Sequence, residues 1–411
     1  MGKYVVFVVC LWIARKADAY TPLRTPEGGR YGLSAIALVG NSVNQSGLDA
    51  GSLAQSVLSS LARWKEASGG RIAPEYWQGT DRGQFVPATG YDGISRIYFA
   101  SQTQEYVPAG VLGLAQVWYD TRTGVALEAD IVLNDRGYRF TQNPLDSSQG
   151  GGNRVYVDSV LTHELGHAFG FAHSSESHAT MAPYEGAGRY ELGCDDRAGS
   201  LAFNGAASAG AAGVGSIRGR VRSEGGSDIF GAVVQAVSRT RGEVQAAVLS
   251  ERDGTFEIGG LPPGAYAVQV TSFPYTLQSL PGFYSGIVGG LCTSQQAEAN
   301  VMLGSSVDVG NLSTRTFSSG GCGSVAIAGR NRCERTAALP SIPYHGSQLP
   351  PVASDSQESD DFGFCGRPAN ASTRRAGVAG ARSTPMRSIF GFMFGWVGPL
   401  ALAIGLRRRI L

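Results

Sequence analysis

Three histidines and one glutamate lie close together near the middle of the chain, where residues 163–173 read HELGHAFGFAH. His163 and His167 are four positions apart, so on a helix their side chains differ by about 40° in direction and by about 6 Å along the axis. Both imidazoles can therefore reach one metal ion. Glu164 directly follows the first histidine and can face the open side of that ion without binding it.

A glycine separates these residues from the third histidine. Gly170 can adopt the left-handed conformation that ends a helix and turns the chain back. Such a turn brings His173 to the ion as a third nitrogen ligand. Three neutral imidazoles and an open fourth position are typical of a catalytic zinc site, whereas structural sites are closed. With His 5 and Gly 58 in 411 residues, we expect this pattern by chance only about 10⁻⁵ times in such a chain.

Hydrophobic periodicity predicts the elements that must position these residues. Helical spacing predicts helices over residues 48–64, 159–169 and 195–203, with Asp158 as the N-cap of the second. Short β-branched and aromatic runs predict strands over residues 94–100, 111–119 and 126–133. Helices and strands together indicate one α+β unit that extends from about residue 31 to residue 205.

Residues 163–173 carry the metzincin signature, and their surroundings resemble the matrixin family of zinc endopeptidases. Ser174 follows the third histidine as in matrixins, and Met181 is placed to be the Met-turn methionine beneath the metal. Residues 128–134 resemble the strand before the zinc helix, and residues 192–199 resemble the C-terminal helix with its paired aspartates. The resemblance implies an α+β metzincin domain at residues 20–205, with a mixed twisted sheet, a zinc-binding helix and a C-terminal helix.

The same resemblance assigns roles at the site. It implies one catalytic Zn²⁺ held by His163, His167 and His173, with Glu164 as the general base of peptide-bond hydrolysis. Met181 would be the structural residue of the Met-turn, and Gly170 the residue of the helix-ending turn. Structural Ca²⁺ stays open, without an assigned site.

One departure concerns the Met-turn itself. Matrixins usually have Met-Tyr-Pro-x-Tyr there, whereas residues 181–185 read MAPYE. We therefore expect the wall of the primed-side substrate pocket to be altered.

A second unit follows a linker of Gly, Ala and Ser at residues 206–216. Residues 217–315 contain strand-sized runs with turn signals between them, which predicts a small all-β sandwich. The runs cover residues 217–221, 232–237, 245–250, 255–258 and 266–270. Residues 253–266 resemble the carboxypeptidase regulatory-like (transthyretin-like) domain, a family that implies no catalytic residues here.

The amino terminus has the composition of an export signal. Residues 1–19 combine a positive start, an apolar run and an Ala-x-Ala site, which is typical of a secretory signal peptide with Tyr20 as the first mature residue. A buried strand at the start of the domain is the alternative.

The carboxyl terminus contains a second apolar segment. Residues 388–406 are uncharged and would span about 28 Å as a helix, the thickness of a bilayer core. Arginines at residues 407–409 would keep residues 407–411 in the cytoplasm and everything before them outside. The segment also resembles bacterial C-terminal sorting tails, and a buried core helix is the alternative. Residues 316–387, rich in Ser, Gly, Pro and Arg, predict a stalk.

Export also changes what the cysteines imply. Of the six cysteines, Cys10 would leave with the signal peptide, and the five that remain cannot all pair within the chain. We expect Cys194 to be packed or disulfide-bonded and not directed at the metal. The other pairings stay open.

These observations predict an exported, surface-anchored zinc endopeptidase that acts on a peptide or protein, outside the cell and attached to the membrane by its C-terminal segment. The alternative is a surface adhesion or interaction protein on an inactive metzincin scaffold. The presence of His163, Glu164, His167 and His173 together favours the enzyme. A formal net charge of +1, with no long basic run before the last residues, excludes a nucleic-acid partner on electrostatic grounds.

Overall fold

The computed structural model describes separate stretches of the chain. These are residues 20–23, 37–40, 43–78, 93–102, 107–108, 110–120, 126–146, 152–186, 188–202, 213–275, 280, 282–287, 289–293, 296–316, 333, 341–343 and 386–395. The predicted signal peptide, most of the linker, most of the stalk and the basic end at residues 407–411 lie outside the described residues.

The first unit is built on a mixed sheet. Its strands are β1 (Ala37–Gly40), β2 (Glu75–Gln78), β3 (Ser95–Phe99), β4 (Val111–Asp120) and β5 (Ala126–Leu133). They lie in the order β4-β5-β3-β1-β2. Every neighbouring pair is parallel except β4 and β5, which are antiparallel. A short parallel pair, β6 (Arg139–Thr141) and β7 (Arg154–Tyr156), leads into the second helix.

Two helices pack together in this unit. They are α1 (Ala50–Ala67), which Asp49 caps by accepting the Ser52 N–H at 2.8 Å, and α2 (Val157–Ala168). The Trp64 indole N–H donates to the Thr162 carbonyl at 2.8 Å. Trp64 is fully buried, and its ring lies 4.8 Å from that of Phe171. The first helix therefore packs directly against the segment that carries the histidines.

The predicted role of Asp158 as an N-cap is wrong. The second helix begins at Val157, two residues before its predicted start, and Tyr156 caps it without a side-chain hydrogen bond. The Asp158 carboxylate instead accepts from Arg63 Nη1 of α1 at 3.2 Å and from the Ser59 hydroxyl at 3.0 Å. Arg63 and Asp158 are both buried, and a buried guanidinium needs a charged partner.

The second unit is all-β, as predicted. Its strands are β8 (Gly215–Ser223), β9 (Val233–Ser238), β10 (Val244–Leu249), β11 (Thr255–Leu261), β12 (Gly264–Thr271), β13 (Leu291–Thr293), β14 (Ala297–Val301) and β15 (Ser306–Thr316). They are connected in the order β10-β9-β12-β13-β15-β8-β11, and β14 also pairs with β12. The predicted strands fall within one to three residues of these bounds. Apolar side chains from this sheet form a core of their own.

A third helix, α3 (Cys194–Ala202), lies between the two units. Its residues Ala198 and Ala202 belong to the core of the second unit. Gly199 faces the other way, where a Cβ would come within 2.9 Å of Phe171 and of Tyr20. Cys194 at its start forms a disulfide with Cys333, which confirms the expectation that Cys194 is packed or bonded. The second unit is therefore joined to the first by buried contacts as well as by the linker.

Residues Met386–Gly395 form β16, which pairs antiparallel with β4 and completes the six-stranded order β16-β4-β5-β3-β1-β2. The prediction of a membrane-spanning helix over residues 388–406 is therefore wrong for residues 388–395, and residues 396–411 lie outside the described ones. Among the described helices, none is long and apolar enough to cross a membrane. An uncharged apolar run fits a strand as well as a helix, and the edge of β4 offers backbone groups for pairing.

Gly166, in the last turn of α2, provides a test of how tightly this core is packed. A Cβ there would lie 2.7 Å from Trp64 Cζ2 and would also collide with the Met181 sulfur. Gly166→Ala should lower the free energy of unfolding by about 1–3 kcal/mol through overpacking, although alanine normally favours a helix by about 1 kcal/mol over glycine. Urea unfolding measures the change.

The matched control is Gly51→Ala on the exposed start of α1. We expect this variant to be as stable as the parent chain or slightly more stable. Equal stability of the two alanine variants would contradict the packing argument.

Candidate metal centre

The three histidines of the sequence pattern converge on one buried point. His163 and His167 lie on α2 with ring centroids 4.7 Å apart, and the His173 ring lies 5.3 Å and 4.9 Å from them. All three are completely buried, and their ligand atoms lie within 4.8 Å of one another. Nitrogens bound to one tetrahedral zinc are about 3.3 Å apart, so shifts of about 1 Å would close the set around an ion.

The turn after α2 brings in the third histidine. Gly170 has φ 100°, a conformation that favours glycine over residues with a Cβ. The Phe171 N–H donates to the Gly166 carbonyl at 2.9 Å, and the Gly170 N–H donates to the His167 carbonyl at 3.0 Å. This pair of bonds is the Schellman motif of helix ends, and it reverses the chain so that His173 points back at the helix.

Two backbone carbonyls orient the first two imidazoles. His163 Nδ1 lies 2.7 Å from the Thr180 carbonyl, and His167 Nδ1 lies 2.7 Å from the Phe171 carbonyl. A carbonyl can only accept, so each Nδ1 carries the proton and each Nε2 presents a lone pair to the common point. Partners of this kind fix the tautomer of metal-binding histidines. Neither partner could be predicted from the sequence, because a carbonyl oxygen is present at every residue and gives no sequence signal.

Burial keeps these imidazoles neutral. It lowers the pKa of His163 and of His167 well below the ordinary value, and the neighbouring imidazoles lower it further. Neutral imidazole is the form that binds a metal ion. The chemistry of the donor set therefore fits zinc.

Glu164 lies on the same helix turn, fully buried. Its side chain reaches β4 at Gly113, where a Cβ would lie 2.7 Å from Glu164 Oε1 and 2.8 Å from Val160 Cγ1. Burial raises the pKa of Glu164 well above its usual range, and the nearby Ala115 N–H opposes this only in part. Among the described residues, Glu164 forms no ion pair. Because a buried carboxylate without a counter-charge is costly, its position beside three buried imidazoles fits a cation site.

Met181 and Asp196 form the floor beneath the histidines. Met181 is buried, and its sulfur lies against Gly166 of α2. Asp196 accepts the backbone N–H groups of Thr180 at 2.7 Å, Gly193 at 2.8 Å and Met181 at 3.1 Å. Burial raises the pKa of Asp196 to about 6, and the three N–H donors oppose that rise. Asp196 thus fixes the loop whose Thr180 carbonyl orients His163.

A second aspartate links the site to the all-β unit. Asp195 accepts the Ser174 hydroxyl at 2.5 Å, directly after the third histidine, and the Ala247 N–H of β10 at 2.7 Å. Burial and the neighbouring Asp196 raise the pKa of Asp195 well above its usual range. The second unit therefore contacts the segment that carries His173 through one buried carboxyl group.

Two further side chains near the site, those of His178 and Tyr184, lie outside the histidine cluster. The His178 side chain is 57% exposed, and its Nδ1 lies 3.1 Å from Glu176. The Tyr184 ring, in the altered Met-turn, packs against Tyr275 of the second unit at 5.4 Å. Within the described ranges, no other group of three His, Cys, Asp or Glu side chains lies at ligand distance, and the structure assigns no site to Ca²⁺.

Asp196→Asn tests the floor of the site. The amide has one acceptor oxygen, whereas three N–H groups converge on the two carboxylate oxygens, so at least one donor loses its partner. We expect the free energy of unfolding to fall by about 1–3 kcal/mol and zinc affinity to fall about tenfold. Urea unfolding and titration against a chromophoric chelator measure the two effects. Asp49→Asn at the exposed cap of α1 is the control, since asparagine caps a helix as well as aspartate; equal losses in both variants would disprove the assignment.

Two family models match separate parts of this chain. The matrixin family model matches residues 91–203, and the model of the carboxypeptidase regulatory-like domain matches residues 216–288. No curated protein matches the chain. Among solved structures it is similar to one described as "The Bacillus anthracis TIE protein", at 20% identity and TM-score 0.18, over 25% of this chain and 16% of that one. That likeness is too low to bear on the fold. The three histidines and Glu164 all fall inside the first matched range, and the chain therefore carries a matrixin domain followed by a carboxypeptidase regulatory-like domain.

Proposed function

We propose that this chain is a zinc endopeptidase in which Glu164 is the general base. The matrixin domain suggests a zinc metallopeptidase in general terms. The observation that carries the proposal is the convergence of three buried imidazoles beside a buried carboxylate. The substrate is a peptide or protein, and one catalytic zinc ion is required.

His163, His167 and His173 would hold the ion. When bound, zinc polarises a substrate carbonyl and makes water easier to deprotonate. Thr180 and Phe171 keep the first two imidazoles in the tautomer that binds, and Met181 supports the helix from below. The histidine positions thus depend on backbone geometry and not on exposed side chains.

Glu164 would move the proton. Its carboxylate takes a proton from the water that attacks the peptide carbonyl, and then gives that proton to the leaving nitrogen. Burial raises the pKa of this group well above its usual range, which suits a residue that must accept and release a proton in one cycle, while the charge of a bound cation would oppose that rise. Gly113 allows β4 to run close beside the carboxylate, so an extended substrate along this strand would place its backbone near Glu164.

We also propose that the protein is exported and acts outside the cell. The signal-like composition of residues 1–19 supports this, and so does the Cys194–Cys333 disulfide, since disulfides persist in oxidising compartments. Residues 20–23, the proposed start of the mature chain, contact the turn after α2. The Tyr20 ring packs 4.2 Å from Phe171, and the Leu23 N–H donates to the Gly170 carbonyl at 2.8 Å.

Glu164→Gln should separate catalysis from metal binding. The amide keeps the size of the side chain but cannot accept the proton, so kcat/KM on a denatured protein substrate should fall by at least about 100-fold. Zinc content should stay near one per chain, because Glu164 is not a ligand. Plasma emission spectrometry and a fluorogenic cleavage assay measure the two quantities.

His167→Ala is the matched comparison, since it removes a ligand and should lose both zinc and activity. Equal zinc loss in the two variants would contradict the division of roles. A parent chain that binds zinc yet cleaves nothing would instead favour the alternative of an interaction protein on an inactive scaffold.

Mass analysis of the exported protein should find Tyr20 at the amino terminus. Further trimming should stop there, because residues 20–23 are bound to the turn after α2 and are poor protease substrates when so held. The Thr21 carbonyl accepts the Ala172 N–H at 2.8 Å as part of this contact. Retention of residues 1–19, or a start beyond Leu23, would overturn the processing proposal.

A further inference from the structure

The edge of the first sheet beside the histidines is covered by a distant part of the chain itself. β4 pairs with β5 on one side and with β16 on the other. Residues 386–389 lie opposite residues 120–117 in one-to-one antiparallel register, and after an irregularity Phe392–Phe394 lie opposite Ala115–Gly113. Without residues 386–395, β4 would be the edge strand of this sheet.

This edge is the one next to the proposed catalytic group. Phe394 is opposite Gly113, the residue whose Cα faces the Glu164 carboxylate, and Phe392 is opposite Ala115. β16 also comes close to α2, the helix that carries His163 and His167. The backbone of β16 therefore runs beside the site along the strand that lies against Glu164.

One strand edge can pair with only one extended polypeptide at a time. A strand added to an open edge gains main-chain hydrogen bonds along its length, which is a common mode of peptide binding. An extended substrate whose scissile bond is near Glu164 would use the same groups of β4 that residues 386–395 use. An extended substrate and residues 386–395 therefore cannot pair with the β4 edge at the same time.

We propose that residues 386–395 act as an intramolecular competitor of an extended substrate by occupying the β4 edge. This inference rests on the proposed peptidase function. It adds a form of regulation to that site: release or removal of residues 386–395 would free the β4 edge for substrate.

The path of the chain supports this occupancy. Cys333 is bonded to Cys194, the Pro343 carbonyl accepts the Tyr76 N–H at 2.9 Å on β2, and the Ser341 carbonyl accepts Lys65 Nζ at 3.1 Å. The segment after the all-β unit is thus already fixed to the first unit at the far edge of the same sheet.

The distance from β2, where Pro343 is bound, to β16 is short compared with the length of chain that connects them. From β2 to β16 there are five strand spacings of about 4.8 Å each, about 24 Å in total. Residues 344–385 could extend to more than about 100 Å. A tethered strand competes at an effective concentration that can reach about the millimolar range, which is enough to exclude a substrate present at micromolar concentration.

Two truncated chains test the proposal. One ends at Pro385 and lacks β16; the other ends at Gly395, keeps β16 and lacks only residues 396–411. Both keep Cys333 and Pro343 with their contacts. We expect kcat/KM on a fluorogenic peptide to be at least about tenfold higher for the chain that ends at Pro385, with the difference mostly in KM.

A synthetic peptide of residues 386–395 should inhibit the shorter chain competitively, and a scrambled peptide of the same composition should not. Proline substitutions in the longer chain add a geometric test. Successive residues of a strand direct their N–H groups to opposite sides, so of Arg387→Pro and Ser388→Pro only one should raise activity. Equal kcat/KM for the two truncated chains, with no inhibition by the peptide, would overturn the inference.

Hydrogen exchange gives a readout that does not depend on activity. Alternate amides of β4 between residues 113 and 119 should be protected in the chain that ends at Gly395 and lose protection in the one that ends at Pro385. Unchanged protection would overturn the proposed occupancy even if the enzyme is active. If this protection is lost as expected but neither chain cleaves a peptide with zinc bound, the occupancy stands and the proposed peptidase function fails.

Discussion

The turn that ends α2 is the constraint on which the rest of the site depends. Gly170 in the left-handed conformation allows the Phe171 N–H to return to the Gly166 carbonyl. The same reversal directs the Phe171 carbonyl at His167 Nδ1 and sends the chain on to His173. It also exposes the Gly170 carbonyl to Leu23, so residues 20–23 attach at the same point. One backbone conformation thus brings two of the histidines together, orients one of them and fixes residues 20–23.

The all-β unit is part of this arrangement and not an independent appendage. α3 has one face in the core of the second unit, and its Asp195 joins the Ala247 N–H to the Ser174 hydroxyl. The helix is short, from Cys194 to Ala202, and helices of this length depend on tertiary packing for their stability. Asp196 on the same helix fixes the Thr180 loop. Contacts with the second unit therefore stabilise the floor of the metal centre.

Glu164 lies where the second helix approaches β4 of the sheet. Placing a carboxylate in a fully buried position is costly without a cation or a hydrogen-bonding partner. Gly113 has no side chain, so β4 can approach this carboxylate to contact distance. Because β4 is so close, whatever pairs with its outer edge lies near the proposed reaction centre. The position of β16 at this edge matters for the proposed function because β4 lies so close to Glu164.

The features of this protein that depend on local spacing could be predicted from the amino-acid sequence. The i, i+4 histidines, the glycine after the helix, the three helices of the first unit and five strands of the all-β unit follow from periodicity and turn chemistry, and each of these elements is present within a few residues of its predicted bounds. The strands β13, β14 and β15 were not predicted. Local spacing cannot reveal which distant groups meet.

The remaining features depend on contacts between residues that are far apart in the sequence. Asp158 bonds Arg63 of another helix instead of capping its own, the Thr180 and Phe171 carbonyls orient the histidines, and Cys194 pairs with Cys333. Residues 388–395 form a strand instead of a helix. An apolar run can bury its side chains and satisfy its backbone either within one helix or against a neighbouring strand, and only the presence of the open β4 edge selects between them.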